Sequence, residues 1–305
     1  MNLMIDAYEH ARLSLANRIQ KWTASGEQYI GPIPGLYLYR HVMPNSPMSC
    51  MLEPAIAVPV QGTKRTRLGA EVYEYDRSRF LLTSLALPVV MQVSNANPEA
   101  PFLSAVLKLD PKIIGELMID AQIHVPDRQS IPDSGIVLGR TTTQLLEAVG
   151  RLVGLMDEPD LIPVLAPLLQ REIFYRLLIS PVGKYLWQMA SVDSQSRRIS
   201  RAIEWLKANF REPLQIKDLA HRVDMSPSRL HHHFRQFTSM SPLQFQKWLR
   251  LAEARRLMVV QGMAPSIAAY EVGYGSPSQF SREYARMFGT SPRRDVLELT
   301  KEVSA

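Results

Sequence analysis

Two stretches of this 305-residue chain, fifty positions apart, repeat one arrangement of hydrogen-bonding side chains: Ser226–Pro242 reads SPSRLHHHFRQFTSMSP and Ser276–Pro292 reads SPSQFSREYARMFGTSP. Wound at helical pitch, the first displays Ser228, Arg229, His231, His232 and Arg235 on one side, and the second Ser278, Gln279, Ser281, Arg282 and Arg286. Arginine and glutamine form paired hydrogen bonds with the edges of guanine and adenine, and serine and histidine donate or accept more permissively. The chemistry implied is recognition of base edges, not bond making. Helical arginines by default belong to a solvated face laced with surface ion pairs; recurrence of the whole pattern argues against that reading here.

Each copy carries its own start signal, a serine to cap the helix and a proline at its first position. Large apolar residues recur four apart, Leu230 with Phe234 and Phe280 with Tyr284, so that side faces a core. Upstream of each lies a shorter helical pattern, IKDLAHRVDM before the first and SIAAYEVGYG before the second. Short helix, turn and exposed helix together make a helix-turn-helix. Gly273 supplies a left-handed turn residue in the second copy, and Asp224 stands in its place in the first. Between the copies, SPLQFQKWLRLAEARRLMVVQG reads as one helix that buries Phe245, Leu249, Ala252 and Leu257 and stops at Gly262. About 18 residues at about 1.5 Å each span roughly 27 Å. The major-groove segments on one face of a duplex lie roughly 34 Å apart, so one chain could insert both helices.

Charge supports a polyanionic partner. The formal net charge is +6, and residues 1–190 hold 17 Lys and Arg against 18 Asp and Glu, while residues 191–305 hold 18 against 11. The excess lies in the block that carries the repeat. Cys50 is the single cysteine, which excludes an internal disulfide and a multi-cysteine zinc site; it reads as an ordinary strand residue, with a sensor thiol as the alternative. No apolar run is long enough to span a bilayer and no secretory signal pattern opens the chain, so a soluble cytoplasmic protein with no membrane partner is expected.

Consecutive helical residues point about 100° apart, so His231, His232 and His233 cannot converge on one metal ion. His41 and His124 are the histidines near the strand-rich part, without the clustered carboxylates a metal-dependent barrel enzyme needs. No glycine-rich phosphate loop or nucleophile elbow is present. No cofactor, metal site or catalytic residue is expected.

The repeat with its connecting helix resembles the DNA-binding domain of the AraC family of bacterial regulators, over about residues 194–297. Ile267, Val272, Gly273, Tyr274, Ser276, Ser278, Phe280, Arg282, Tyr284, Phe288, Gly289, Ser291 and Pro292 follow that family's signature. The resemblance implies base-facing roles for Ser228, His231 and His232 in the first helix and for Ser278, Gln279 and Arg282 in the second. Asp224 and Ser239 stand where the family usually has glycine, and Ala285 where a basic residue is common. The stretch from Leu36 to about Ala121, most tellingly VQGTKRTRLGAEVYEYDRSRFLLTSLALPV, resembles the N-terminal domain of a subgroup of the same regulators, which implies a cupin-like β-barrel that holds an effector or communicates with the DNA-binding half.

An α+β architecture is expected in two parts. Residues 1–190 form a regulatory domain, opened by an amphipathic helix over Ile5–Trp22 that buries Ala7, Ala11, Leu15, Ala16 and Ile19. Its barrel covers about 31–109, built from LYLYRH, AIAVPV, EVYEYD, RFLLTSL, PVVMQV and PFLSAVLKLD. Helices over about 111–190 follow, as a dimerisation layer or as packing against the barrel. Ser191–Ser196 is the expected junction, and residues 194–300 are the DNA-binding domain with two helix-turn-helix units. The expected partners are double-stranded DNA at a promoter or operator, a second copy of the chain, a small-molecule effector and RNA polymerase. Two other classes remain: a cupin-type enzyme fused to a DNA-binding module, and a ligand-independent regulator that contacts the polymerase.

Overall fold

The computed structural model describes residues 2–123, 134–191 and 194–303, with side chains described from 7 to 299 within those segments. By its contacts the chain divides into two compact units, residues 1–197 with 237–239 and residues 198–236 with 240–305.

The first unit opens with α1 (Asn2–Trp22) and continues into two antiparallel sheets. The six-stranded sheet runs β1 (Gln28–Ile30), β2 (Leu36–His41), β9 (Phe102–Lys108), β4 (Ala55–Gln61), β7 (Arg79–Thr83), β10 (Ile136–Arg140). The four-stranded sheet runs β3 (Met48–Leu52), β8 (Leu87–Asn95), β5 (Thr63–Leu68), β6 (Glu71–Asp76). The strands are a cupin-like array, and they exceed the expected 31–109 stretch. β1 precedes it and β10 follows α2 (Pro111–Asp120) to pair with β7, Leu138 opposite Leu81. Proximity in sequence does not show that a strand will return to a sheet after a helix.

Alternation assigns the faces. Leu36 and Leu38 of β2, Ile56, Val58 and Val60 of β4, and Leu103, Ala105 and Leu107 of β9 enter one core. Leu15 and Ile19 of α1 and residues of α3 (Thr143–Gly154) and α4 (Ile162–Leu178), among them Leu146, Val149, Phe174 and Leu177, join the same core. Each such side chain contributes about 1.5–3 kcal/mol when fully buried. The helices after the barrel are therefore bound to it first, the packing alternative of the sequence reading. α5 (Gly183–Ala190) completes this helical layer. Arg12 fastens α1 to β4, donating to the Val60 carbonyl at 2.9 Å while paired with Glu9 at 2.7 Å. Ala11, Leu15, Ala16 and Ile19 are buried as α1 periodicity requires, but Ala7 is exposed.

Of the expected junction, Val192 and Asp193 lie outside the described residues, as does His124, and Gln195 and Ser196 already begin α6 (Gln195–Asn209). The rest of the second unit is helical: α7 (Ile216–Arg222), α8 (Pro227–Thr238), α9 (Pro242–Val260), α10 (Pro265–Glu271), α11 (Pro277–Phe288) and α12 (Pro292–Val303). No described helix is long and apolar enough to cross a membrane.

α9 corrects one expectation. Phe245 and Leu257 are buried, but Leu249 and Ala252 are only half-buried, and Gln246, Trp248, Leu251, Ala254 and Met258 are buried instead. The helix packs on Phe234 of α8 near its start, the Phe234 and Phe245 rings lying 5.4 Å apart. Further along, its Leu251, Ala254, Leu257 and Met258 join Ala268, Ala269, Phe280 and Tyr284 of α10 and α11. Its buried side turns along its length, so a single stripe at fixed spacing cannot describe it.

Candidate nucleic-acid interface

α7 with α8, and α10 with α11, are two helix-turn-helix units joined by α9. Both second helices begin where the Ser-Pro pairs require. Ser226 Oγ accepts the Arg229 amide at 3.3 Å, and Ser276 Oγ accepts the Gln279 amide at 3.4 Å. α9 starts on a capping box: Ser241 Oγ accepts the Gln244 amide at 3.2 Å and the Ser241 amide donates to Gln244 Oε1 at 2.8 Å.

The turns are left-handed in both copies. Gly273 has φ +87°, and Asp224 at the matching place has φ +56°. After the second helices, Gly289 has φ +78° and Ser239 has φ +58°. A residue with a Cβ carries a cost of about 1–2 kcal/mol in this region. Asp224 offsets part of it locally, since its carboxylate meets Arg201 at 3.2 Å and its carbonyl accepts from Arg198 at 2.9 Å.

Ser228, Arg229, His231, His232 and Arg235 on α8 are all exposed, as are Ser278, Gln279 and Arg282 on α11, while Leu230, Phe234, Phe280 and Tyr284 behind them are buried. The guanidinium groups of Arg229, Arg235 and Arg282 make no hydrogen bond or ion pair among the described residues. Several arginines elsewhere in the unit are engaged, among them Arg201 with Asp224, Arg255 with Asp295, Arg256 with Glu253 and Arg294 with Glu298. A solvated ion-pair face would have paired the outward arginines too. His232 and His233 stack edge to face at 5.1 Å, and His233 Nδ1 lies 3.0 Å from Gln236 Oε1, so neighbouring side chains occupy these rings. Among the described residues no group of three or more potential metal ligands occurs.

Two further residues position this surface. Glu283 on α11 accepts from Lys247 of α9, from the Tyr274 hydroxyl and from the Gln279 side chain at 2.8, 2.8 and 3.2 Å. Burial pushes its carboxyl pKa up, but those three hydrogen bonds outweigh it and hold the pKa below the ordinary value. Gln279 is thereby oriented before any ligand arrives. Arg250 of α9 donates to the carbonyls of Phe210, Arg211, Glu212 and Gly273 at 2.6–3.0 Å, clamping the segment after α6 onto the second turn. An i to i+4 spacing links Gln279 to Glu283, a signal available in the sequence; the reach of Arg250 across 40 residues is not.

Cys50 on β3 is half-buried, and burial pushes its thiol up to about 11, which suits the ordinary strand residue.

A helical unit with two helix-turn-helix motifs, beside a cupin-like antiparallel domain, is the architecture of a two-part DNA-binding regulator. Residues 32–185 match the family model for the AraC-type transcriptional regulator N-terminus, and residues 219–295 match a helix-turn-helix domain. The first match covers half of the chain, which belongs to the AraC-type transcriptional regulator family.

Among relatives, the HTH-type transcriptional activator RhaS of Yersinia pestis is 28% identical over 160 residues, covering 50% of this chain and 56% of RhaS. RhaS of Salmonella schwarzengrund is 28% identical over 154 residues, covering 50% and 55%. The chain thus spans a little over half the length of these relatives. ToxT of Vibrio cholerae, in a crystal structure with bound unsaturated fatty acid, has the same fold: TM-score 0.53, 13% identity, 86% of this chain and 93% of ToxT covered. A ligand-free ToxT variant gives TM-score 0.56 at 11% identity, covering 88% and 99%.

Proposed function

We propose that the protein is a sequence-specific, cytoplasmic transcription regulator in which residues 194–300 bind operator DNA and residues 1–190 respond to a small-molecule effector. The carrying observation is the pair of duplicated helices whose outward arginines lack internal partners. Ser228, Arg229, His231, His232 and Arg235 enter one major-groove segment, and Ser278, Gln279 and Arg282 enter the next. α9, 19 residues long, spaces the two units by about 28 Å. No catalytic step is assigned to either unit.

Arg282→Ala tests the reading. On the preferred site affinity falls by about 1–3 kcal/mol, and preference relaxes at one base pair, as competition binding against single-base variants would show. A uniform loss over all sequences would make Arg282 a phosphate contact instead.

The effector half of the reading is supported by the cupin-like fold and by the fatty acid that the ToxT structure holds. A homodimer is supported by α4, where Val164, Leu168 and Tyr175 expose an apolar stripe, interrupted by Arg171 and Glu172, that Ile179 continues just past the helix end. Such a stripe can pack on its own copy about a two-fold axis, and sedimentation equilibrium reads the outcome directly.

A further inference from the structure

Glu283 touches the reading surface of α11 through Gln279, while its other attachments lie on different elements. Its Oε1 accepts from Lys247 Nζ of α9 at 2.8 Å and from Gln279 Nε2 at 3.2 Å, and its Oε2 accepts from the Tyr274 hydroxyl in the turn before α11 at 2.8 Å. Tyr274 is itself buried, its ring 5.5 Å from that of Phe280. The carboxylate is therefore fixed from α9 and from the turn, and the side chain it holds in turn, Gln279, is exposed.

An ionised carboxylate only accepts hydrogen bonds. Burial raises the Glu283 pKa, but the three hydrogen bonds together lower it below the ordinary value, so the group is charged at neutral pH. Of the two ends of the Gln279 amide, only the nitrogen can then face Glu283, since the oxygen would set acceptor against acceptor. One N–H of Nε2 is spent in this way. With the N–H directed away from the amide oxygen serving Glu283, the other N–H stays beside Oε1, and the two present a donor and an acceptor side by side. Adenine offers the complementary pair in the major groove, N7 as acceptor and N6 as donor. Guanine offers two acceptors, N7 and O6, and thymine offers O4, so both would meet the outward oxygen with no proton between them. A glutamine amide without such a neighbour turns readily about its last bond and can give its nitrogen to guanine or thymine instead.

We propose that Glu283 is a positioning residue that holds the Gln279 amide with its oxygen outward and so makes adenine the base read at one position of the operator. This rests on the DNA-binding reading above and gives one of its contacts a base identity. Glu283 makes no base contact itself, because Lys247, Tyr274 and Gln279 already occupy its oxygens. The Arg282 guanidinium has no partner among the described residues, so its base preference is independent of Glu283 and serves as the internal reference.

Competition binding by the full chain tests this, on a duplex selected from a random library and then varied one base pair at a time. In the unsubstituted chain one base pair prefers adenine on one strand over each other base by about fivefold or more, and Gln279→Ala, at an exposed position, flattens that preference to within about twofold. Glu283→Gln keeps the length and an acceptor but can also donate, which lets the Gln279 amide turn round. The adenine preference at that base pair then falls by about threefold or more, while preferences elsewhere, including the one that Arg282→Ala relaxes, hold within about twofold. A purely structural role would weaken all positions alike. In the Gln279→Ala background, Glu283→Gln leaves base preferences unaltered. Should Glu283→Gln fail to fold, Glu283→Ala gives the same comparison. A base other than adenine at the Gln279-dependent position, an adenine preference untouched by substitution of Glu283, or a loss spread evenly over the site would each overturn the proposal. The two failures separate. A chain that selects no sequence at all loses the regulator reading, and one that keeps the Arg282-dependent preference without any dependence on Glu283 loses only this inference.

Discussion

Replacing Gly273 with alanine lowers the stability of the second helix-turn-helix by about 2–5 kcal/mol, from two costs that add. At φ +87° a side chain adds about 1–2 kcal/mol of backbone strain. An added Cβ would also stand 2.2 Å from the Arg211 carbonyl oxygen, and overlap of that kind costs about 1–3 kcal/mol. The turn cannot swing away, because Arg250 donates to the Gly273 carbonyl at 2.9 Å and holds Arg211 at the same distance. Hydrogen exchange in the full chain checks this: peptides covering α10 and α11 exchange faster, and those covering α7 and α8 change less. Unchanged exchange across 265–288 would remove the argument.

Asp295→Ala is the second large effect, about 3–5 kcal/mol. Asp295 is buried near the start of α12 and accepts Arg255 Nε and Nη2 at 2.7 and 2.9 Å and the Tyr284 hydroxyl at 2.6 Å. One carboxylate thus ties α12 to α9 and α11. Removing it strands a partly buried guanidinium and a phenol, which costs more than the contact was worth. Differential scanning calorimetry on the full chain should move the transition of the C-terminal unit down by about 10 °C or more. Asp295→Asn, which keeps an acceptor for Tyr284, should fall between. A shift of the alanine variant under about 2 °C would contradict the role.

Legibility followed how local the determinant was. α8 and α11 begin at Pro227 and Pro277, as the Ser-Pro pairs require, because capping is settled within four residues. LYLYRH and EVYEYD coincide with β2 and β6 because alternation is local too. β5 went unread: TKRTRL puts Arg65 and Arg67 on the solvent side and buries only Thr66 and Leu68, so its apolar signal is faint. β10 was hidden because its partner β7 lies more than fifty residues earlier. The same limit governs the sites. Which α8 and α11 residues point outward follows from helical pitch, whereas Glu283 meets Lys247 and Tyr274, and Arg250 finds its four carbonyls, only in the folded unit.

The central claim is that one chain reads two successive segments of major groove. Selection of bound sequences from a random duplex library by the purified full chain tests it most directly. The account predicts two blocks of base preference about 10–10.5 base pairs apart within the site of a single chain, with Arg282→Ala erasing preference in one block alone. A single block, or two whose spacing drifts freely among selected sites, would contradict it.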